Sequence, residues 1–235
     1  MLTVNFDLFP IESGDRFLDV GCGEGRHSFE ACRINHCTVY ALDRDDLSLR
    51  KTRYVLHYMD TQRVSKGRWN VMCADALNLP FKDASFDKII CAEVLEHLAD
   101  DERGIKELVR ILKQGGAMAV TVPTYLSETV CWALDRDYYN HPGGHVRKYK
   151  AQELMDSLRR NNLAVYAIRH EHAFHSIYWF LRCVFGLRNE DASIPSLYYK
   201  FLEMQIVTRS RFVHRMERIL NFFFPKSMVI YTRKI

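Results

Sequence analysis

The sequence predicts an α/β protein with a doubly wound sheet of seven strands and a helical insertion before the last of them. Three observations carry this: short apolar runs alternate with amphipathic stretches, the runs end in small or acidic residues, and a crowded glycine turn, Gly21 to Gly25, follows the first run directly. Strands alternating with helices at this spacing imply a parallel sheet, because parallel neighbours need crossover connections that leave helices on both faces. Ligands then bind beyond the carboxyl ends of the strands, where the glycines lie.

Strand one is Arg16–Val20 (RFLDV), and a helix follows from about Arg26 to Ile34. Strand two is Thr38–Asp43 (TVYALD). The helix after it, 46–59, draws a rough apolar face from Leu47, Leu49, Tyr54, Leu56 and Tyr58. Residues 69–75 read as a third strand, 86–94 as a fourth, and 99–116 as a helix closed by glycine. Strand five is 117–123. The alternation then loosens into an aromatic-rich stretch with a Pro-Gly-Gly turn, followed by an amphipathic helix, 151–162. Strand six is 163–173 and strand seven 227–235. The residues between them, 174–226, fit no simple crossover and are expected to form a helical cap over one end of the sheet.

At 235 residues and 48% hydrophobic composition the chain can close one large core, so 1–235 is expected to be a single domain. A net charge of +4 is too slight to argue for nucleic acid, although the excess is concentrated from Lys200 onward. Seven cysteines without a repeated spacing, behind an N-terminus that lacks a basic stretch and apolar run, predict a reduced, cytoplasmic protein. Cys32 and Cys37, with His36 nearby, match no common zinc spacing and are read as buried inert thiols. The most apolar stretch, 173–187, carries Arg182 and is too short to span a bilayer.

A glycine turn that opens a helix is the setting of a nucleotide loop, because glycine lets ligand atoms approach backbone amides. Here the pattern is Gly21, Gly23, Gly25, with Arg26 where a dinucleotide fingerprint wants its third glycine. Asp19, two residues before the first glycine, would repel a pyrophosphate and suit a ligand bearing an ammonium group. S-adenosylmethionine has that group and no phosphate. Asp43 ends strand two, where a carboxylate can accept both ribose hydroxyls. Asp75 ends strand three, within reach of an adenine amino group. Each acid alone would serve equally well as a turn or helix-capping residue. Together they favour S-adenosylmethionine over NAD.

The segments LDVGCGEGRH, ALDRD, ADALNLPFKDASFDKIICAEVLEHL and LKQGGAMAVTVP, in this order, resemble the class I S-adenosylmethionine-dependent methyltransferases, in the methyltransferase type 11 group similar to ubiquinone-biosynthesis methyltransferases. The resemblance covers about Arg16 to Ala173 and the last strand. It implies a Rossmann-like sheet whose seventh strand is antiparallel and tucked between strands five and six. It further implies that Asp19 and the backbone of Gly21 and Gly23 hold the methionine portion, with Cys22 and Gly25 completing the cofactor loop. Asp43 would take the ribose, Asp75 and Ala76 would flank the adenine, and Glu93 would lie beside the cofactor. One departure matters: only about 15 residues precede strand one, so another segment has to cover the site that N-terminal helices often close.

Methyl transfer is an in-line displacement from a sulfonium, an excellent leaving group, so the protein mainly positions the nucleophile and, for a hydroxyl, removes a proton. Glu93, Glu96 and His97 in EVLEHL would share a face at helical spacing, a set that a hard divalent ion with an imidazole ligand accepts. The pattern is similar to that of metal-dependent O-methyltransferases, and also to relatives without metal whose histidine lines the pocket. The assignment made is His97 as a metal-free base, with no metal ligand. His145 and Arg147, in GGHVRKY, stand where similar methyltransferases face substrate: His145 would orient or deprotonate it, and Arg147 would hold a carboxylate or brace the loop. Tyr138, Tyr139 and His141 lie nearby without a spacing that promotes them. His170 and His172, on one side of a strand, and His175 are read as ordinary strand-end histidines, since no carboxylate or cysteine completes a set.

Substrate selection falls to the segments after strands five and six. Their apolar character points to a lipid-like, quinone-like or otherwise hydrophobic small molecule, with O-methylation favoured. Aromatic and basic residues alternate through the insertion, the composition of a packed lid or of a peripheral membrane contact. The stretch after strand four lacks the Pro-Pro-aromatic signature of nucleobase methylation, and no RNA-module motif is present, which argues against nucleic acid. The alternative function is a regulatory or scaffolding protein that binds S-adenosylmethionine without transferring its methyl group.

Overall fold

The structure is a computed structural model and describes residues 2–34, 36–140, 143–189, 192–208 and 210–235. β1 (Arg16–Val20), β2 (Thr38–Asp43), β3 (Arg68–Cys73), β4 (Phe86–Ala92), β5 (Leu112–Pro123), β6 (Leu163–Glu171) and β7 (Ser227–Lys234) form one sheet in the order β3-β2-β1-β4-β5-β7-β6. Strands β1 to β5 pair in parallel, and β7 runs antiparallel between β5 and β6. The helices are α1 (Arg26–Ile34), α2 (Asp46–Thr61), α3 (Asp101–Ile111), α4 (Tyr125–Leu134), α5 (Ala151–Arg160), α6 (Ala173–Phe185), α7 (Ser193–Thr208) and α8 (Arg211–Leu220). This is the Rossmann-like seven-stranded sheet expected from the sequence, with α6, α7 and α8 inserted between β6 and β7.

The period of two along the strands divides the core into two layers. In β1, Phe17 packs with Val4, Phe9, Cys32 and Leu56 on one face, while Leu18 and Val20 face Ile105, Leu108 and Leu154 on the other. The antiparallel β7 repeats the pattern: Met228 and Ile230 join the second layer, Val229 and Tyr231 the first. Both faces of the central strands are covered, so the strand tips are where a ligand can meet backbone and side chains together. The strand order reverses between β1 and β4, which places the switch point directly above the glycine loop.

Local signals explain the boundaries. Asp45 caps α2 by accepting from the Leu47 and Ser48 amides, Asp100 caps α3 through Arg103, and Thr124 caps α4 through Ser127. Three expectations need correction. The helix expected to close on glycine ends at Ile111, because Leu112 turns extended and 112–116 pass into β5; Gly115, at φ +73, bends the incoming strand. The buried face of α2 is Leu49, Thr52, Leu56 and Met59, while Leu47, Tyr54 and Tyr58 stand in solvent. A helix spaced at 3.6 residues per turn cannot bury Leu47 and Leu49 together with Tyr54. Finally, the loosened stretch after Pro123 holds a regular helix, α4, and a single 3-10 turn at 136–138.

The cysteines are free thiols. Cys32 and Cys37 are buried as expected, and burial pushes their thiols up to about 12 and about 11. Among the described residues no helix is long and apolar enough to cross a membrane.

Candidate functional site

A cavity of about 300 Å³ opens at the carboxyl ends of the first four strands. Its walls are Gly21 after β1, Leu42, Asp43 and Arg44 at β2, Ala74, Asp75 and Ala76 after β3, and Glu93, Val94, His97 and Leu98 after β4, closed by Gly143. Five of the nine residues assigned to the cofactor from sequence are therefore brought together: Gly21, Asp43, Asp75, Ala76 and Glu93. The base candidate His97 joins them.

The glycine loop is shaped by contacts rather than by composition alone. Gly21 has φ +67, and a Cβ there would drive into the Val94 side chain on the opposite wall. Gly25, at φ +82, packs so closely on Phe29 and Thr52 that a side chain would displace one of them. The Gly23 amide donates to Asp43 Oδ2 at 2.8 Å, and Asp43 Oδ1 accepts from the Asp45 amide, so Asp43 both faces the cavity and pins the loop. Asp75 similarly accepts from the Leu77 amide while facing the cavity. The Cys22 amide donates to the Leu42 carbonyl, and the side chain is buried beneath the loop.

Asp19 is fully buried and does not line the cavity. Its Oδ2 accepts from the Ser28 amide and hydroxyl, at 3.1 and 2.7 Å, which fixes the start of α1. Burial raises its carboxyl to about 6 against those two hydrogen bonds, and its Oδ1 has no hydrogen-bond partner. Asp19 thus acts on the loop from behind, and a charge on it would reach a ligand only through space.

The EVLEHL stretch is not helical. Glu93 takes a left-handed backbone, φ 57, and 95–97 form a single 3-10 turn, so Glu93, Glu96 and His97 do not share a helix face. Glu93 accepts from the Thr121 hydroxyl at 2.9 Å, and burial raises its carboxyl. Glu96 is buried with neither oxygen hydrogen-bonded; burial, and then the charge of Glu93, raises its carboxyl well above the usual range. The donor atoms that do converge belong to Glu96, His97 and His145, all within 4.8 Å of one another.

His145 stands against His97, ring centroids 4.8 Å apart and edge to face. Its Nδ1 donates to Glu128 Oε2 at 2.6 Å. Glu128, on α4, also accepts from the Tyr138 hydroxyl (2.9 Å), the Lys226 ammonium (2.9 Å) and the Trp132 indole (3.1 Å). Burial alone would raise this carboxyl, but the His145 hydrogen bond and the Lys226 charge outweigh it and hold the group at about 2. Glu128 is therefore ionised at neutral pH. His97 Nδ1 donates to the Gly144 carbonyl, and burial, helped by His145, keeps the His97 ring neutral. Arg147 braces the loop: it donates to the Leu98 and Ala99 carbonyls at 2.7 Å and pairs with Asp101. Tyr139 stacks on Trp132, and His141 lies outside the described residues.

Glu128 and Lys226 were not picked out in the sequence. A signal existed in each case: Glu128 is the one carboxylate in an apolar helix, YLSETVCWAL, and Lys226 directly precedes a strand buried on both faces.

The comparisons with known proteins agree with this geometry. Residues 18–120 match the family model described as a methyltransferase domain. The chain is 36% identical over 111 residues to a sterol 24-C-methyltransferase of Eremothecium gossypii, an alignment that covers 47% of this chain and 28% of that protein. It is 30% identical over 113 residues to the 27-O-demethylrifamycin SV methyltransferase of Amycolatopsis mediterranei, covering 48% of this chain and 40% of that protein. The chain thus spans well under half the length of these two curated relatives. An S-adenosylmethionine-dependent methyltransferase of Methanosarcina mazei has the same fold, with a TM-score of 0.67 at 16% identity over 100% of this chain and 99% of that one. Residues 18–120 thus match the methyltransferase-domain family, and the whole chain has the fold of an S-adenosylmethionine-dependent methyltransferase, with its cavity at the strand tips where that fold binds ligands.

Proposed function

We propose that the protein transfers a methyl group from S-adenosylmethionine to a hydroxyl of a small hydrophobic molecule, with His145, oriented by Glu128, as the base. The observation that carries this reading is the ionised Glu128 carboxylate 2.6 Å from His145 Nδ1, beside a histidine that lines the cofactor cavity.

The residues present suit the cofactor. The cavity floor is backbone that a Cβ at Gly21 would obstruct, and Asp43 and Asp75 offer lone pairs to ribose and adenine. When bound, S-adenosylmethionine supplies a methyl carbon on a sulfonium sulfur. This chain's part is to hold the acceptor oxygen in line and to take its proton. Glu128 fixes the imidazole tautomer of His145 and stabilises the imidazolium that forms, the same division of labour as in a carboxylate-histidine pair activating a nucleophile. His97, neutral and half-buried, orients the acceptor at the cavity rim. Lys226 and Tyr138 keep Glu128 charged and in place.

The relatives named for a sterol and for demethylrifamycin support a small-molecule acceptor. A hydrophobic acceptor, lipid-like or quinone-like, is favoured by the insertion. Phe212, Met216 and Ile219 form an apolar stripe along α8 that faces solvent, and Arg211, Arg215 and Arg218 form the adjacent stripe. A helix whose apolar face points outward beside a row of arginines suits an anionic membrane surface from which such a substrate would be drawn. Two copies packed through this face would oppose their arginines, which disfavours a self-dimer there.

A tritiated methyl-transfer screen against lipid, quinone and phenol extracts tests the activity: transfer by the wild type that is lost in Glu128→Gln, with cofactor affinity kept, supports the reading. Cofactor binding without transfer to any pool would favour a regulatory or scaffolding role. Flotation with phosphatidylserine vesicles tests the surface, and Phe212→Asp with Ile219→Asp should abolish recovery.

A further inference from the structure

We propose that His172, His175 and Glu217 form a zinc site that fastens α8 to the end of β6. The sequence offered two of these histidines without a carboxylate to complete them; the fold supplies it from 42 residues further along the chain. The donor atoms of the three side chains lie within 4.8 Å of one another. Zinc-bound neighbours in a tetrahedral site stand about 3.3 Å apart at bond lengths of about 2.0–2.1 Å, so small side-chain rotations close the set.

Four observations point to a metal-ligand set. Glu217 is 8% exposed, yet its Oε1 has no hydrogen-bond partner; Oε2 accepts from the Gln205 amide at 3.3 Å, and the Phe174 backbone also acts on the carboxylate. His175 Nδ1 is likewise buried and unpartnered. His172 sits in a left-handed backbone, φ 68, which β6 leaves to enter α6, a conformation that a non-glycine residue keeps only when its surroundings impose it. His172 Nε2 lies 3.0 Å from the Thr3 hydroxyl, the outer-sphere contact that orients a ligating imidazole.

The electrostatics fit a metal ligand set. Burial keeps both imidazoles neutral, the state in which they bind metal. Arg26 acts against a cation at both histidines and Lys226 at His175, as do Arg33, Arg211, Arg215 and Arg218 on the wall of the adjoining cavity, while Glu171 beside Glu217 and Glu30 on that wall act in its favour. Two imidazoles and a carboxylate with one open position are a set that zinc takes, and the fourth position opens on a cavity of about 1040 Å³ lined by His172 and Glu217, which gives access to the ion and a water. This cavity shares no lining residue with the cofactor pocket, so the site stands apart from methyl transfer.

The test uses the full chain, stripped with chelator and titrated with Co2+ as a spectroscopic probe and then with Zn2+. One equivalent of Co2+ with tetrahedral visible bands, displaced by Zn2+, is expected, and Zn2+ at a hundredfold excess over its Kd should raise the thermal midpoint by about 5–10 °C. His175→Ala and Glu217→Gln should each abolish the bands while far-ultraviolet circular dichroism is unchanged; His57→Ala, on the exposed face of α2, should keep them. Absence of binding by the wild type overturns the proposal. So does binding that survives His175→Ala and Glu217→Gln but is lost in His97→Ala, which would assign the ion to Glu96, His97 and His145.

Discussion

His145 and Glu128 lie 17 residues apart in the chain and 2.6 Å apart in space, and the contact joins the loop after α4 to a carboxylate that three further donors hold in the charged state. Few arrangements orient an imidazole so fully. Glu128→Gln should therefore lower kcat by about 10²–10⁴ and leave the cofactor Kd within about a factor of two. His145→Ala should do the same, and the double variant should be no slower than either single one, because the two residues act as a unit. Steady-state rates with calorimetric cofactor binding decide this.

Lys226 and Glu128 form an ion pair with almost no exposure to water. Lys226→Ala leaves a buried, uncompensated carboxylate, and chemical denaturation should show a loss of about 3–5 kcal/mol. Lys226→Ala combined with Glu128→Gln should recover part of it, since no charge is then stranded.

Gly21→Ala places a methyl group against Val94 on a backbone that disfavours any side chain. Cofactor affinity should fall at least about tenfold, and Val94→Ala in the same chain should restore only part of it, because the positive φ remains. Calorimetry on both variants separates clash from backbone strain.

The fold was legible because the strand runs are short, apolar and bounded by turn chemistry, and because strand-helix alternation leaves little choice of topology. The cavity was legible for a related reason: glycines and acids at strand tips lie close in sequence to the strands that carry them. The carboxylate behind His145 was not, since Glu128 is held in the interior by Lys226 from 98 residues away and no local pattern encodes that contact. Glu217 escaped for the same reason. The misread face of α2 has another cause: Tyr54 and Tyr58 look apolar in sequence but serve as solvent-facing rings, while Thr52 is buried by its hydrogen bond to the Gly23 carbonyl.

Acid should unfold the protein from near pH 6.5 downward. His27 Nε2 accepts from the Thr3 and Val4 amides, a role that a protonated ring cannot fill, and burial, then the nearby Arg26 charge, lowers it to about 3. The unfolded chain binds this proton near pH 6.5 and the folded chain only near 3, so the stabilisation is complete above 6.5 and is lost as pH falls through this window, at up to about 1.4 kcal/mol per pH unit. Glu128, depressed to about 2, adds a second loss between about pH 4.5 and 2. Denaturation curves from pH 8 to 2 should be shallower in His27→Gln in the upper window, where His172 and His175 still contribute slope, and in Glu128→Gln in the lower one.

The central claim is that the strand tips of β1 to β4 hold S-adenosylmethionine, and titration calorimetry with S-adenosylhomocysteine tests it most directly. A single saturable site, weakened about tenfold or more by Asp43→Ala, is the predicted result; no heat with that nucleoside, alongside clear binding of NADH, would contradict it.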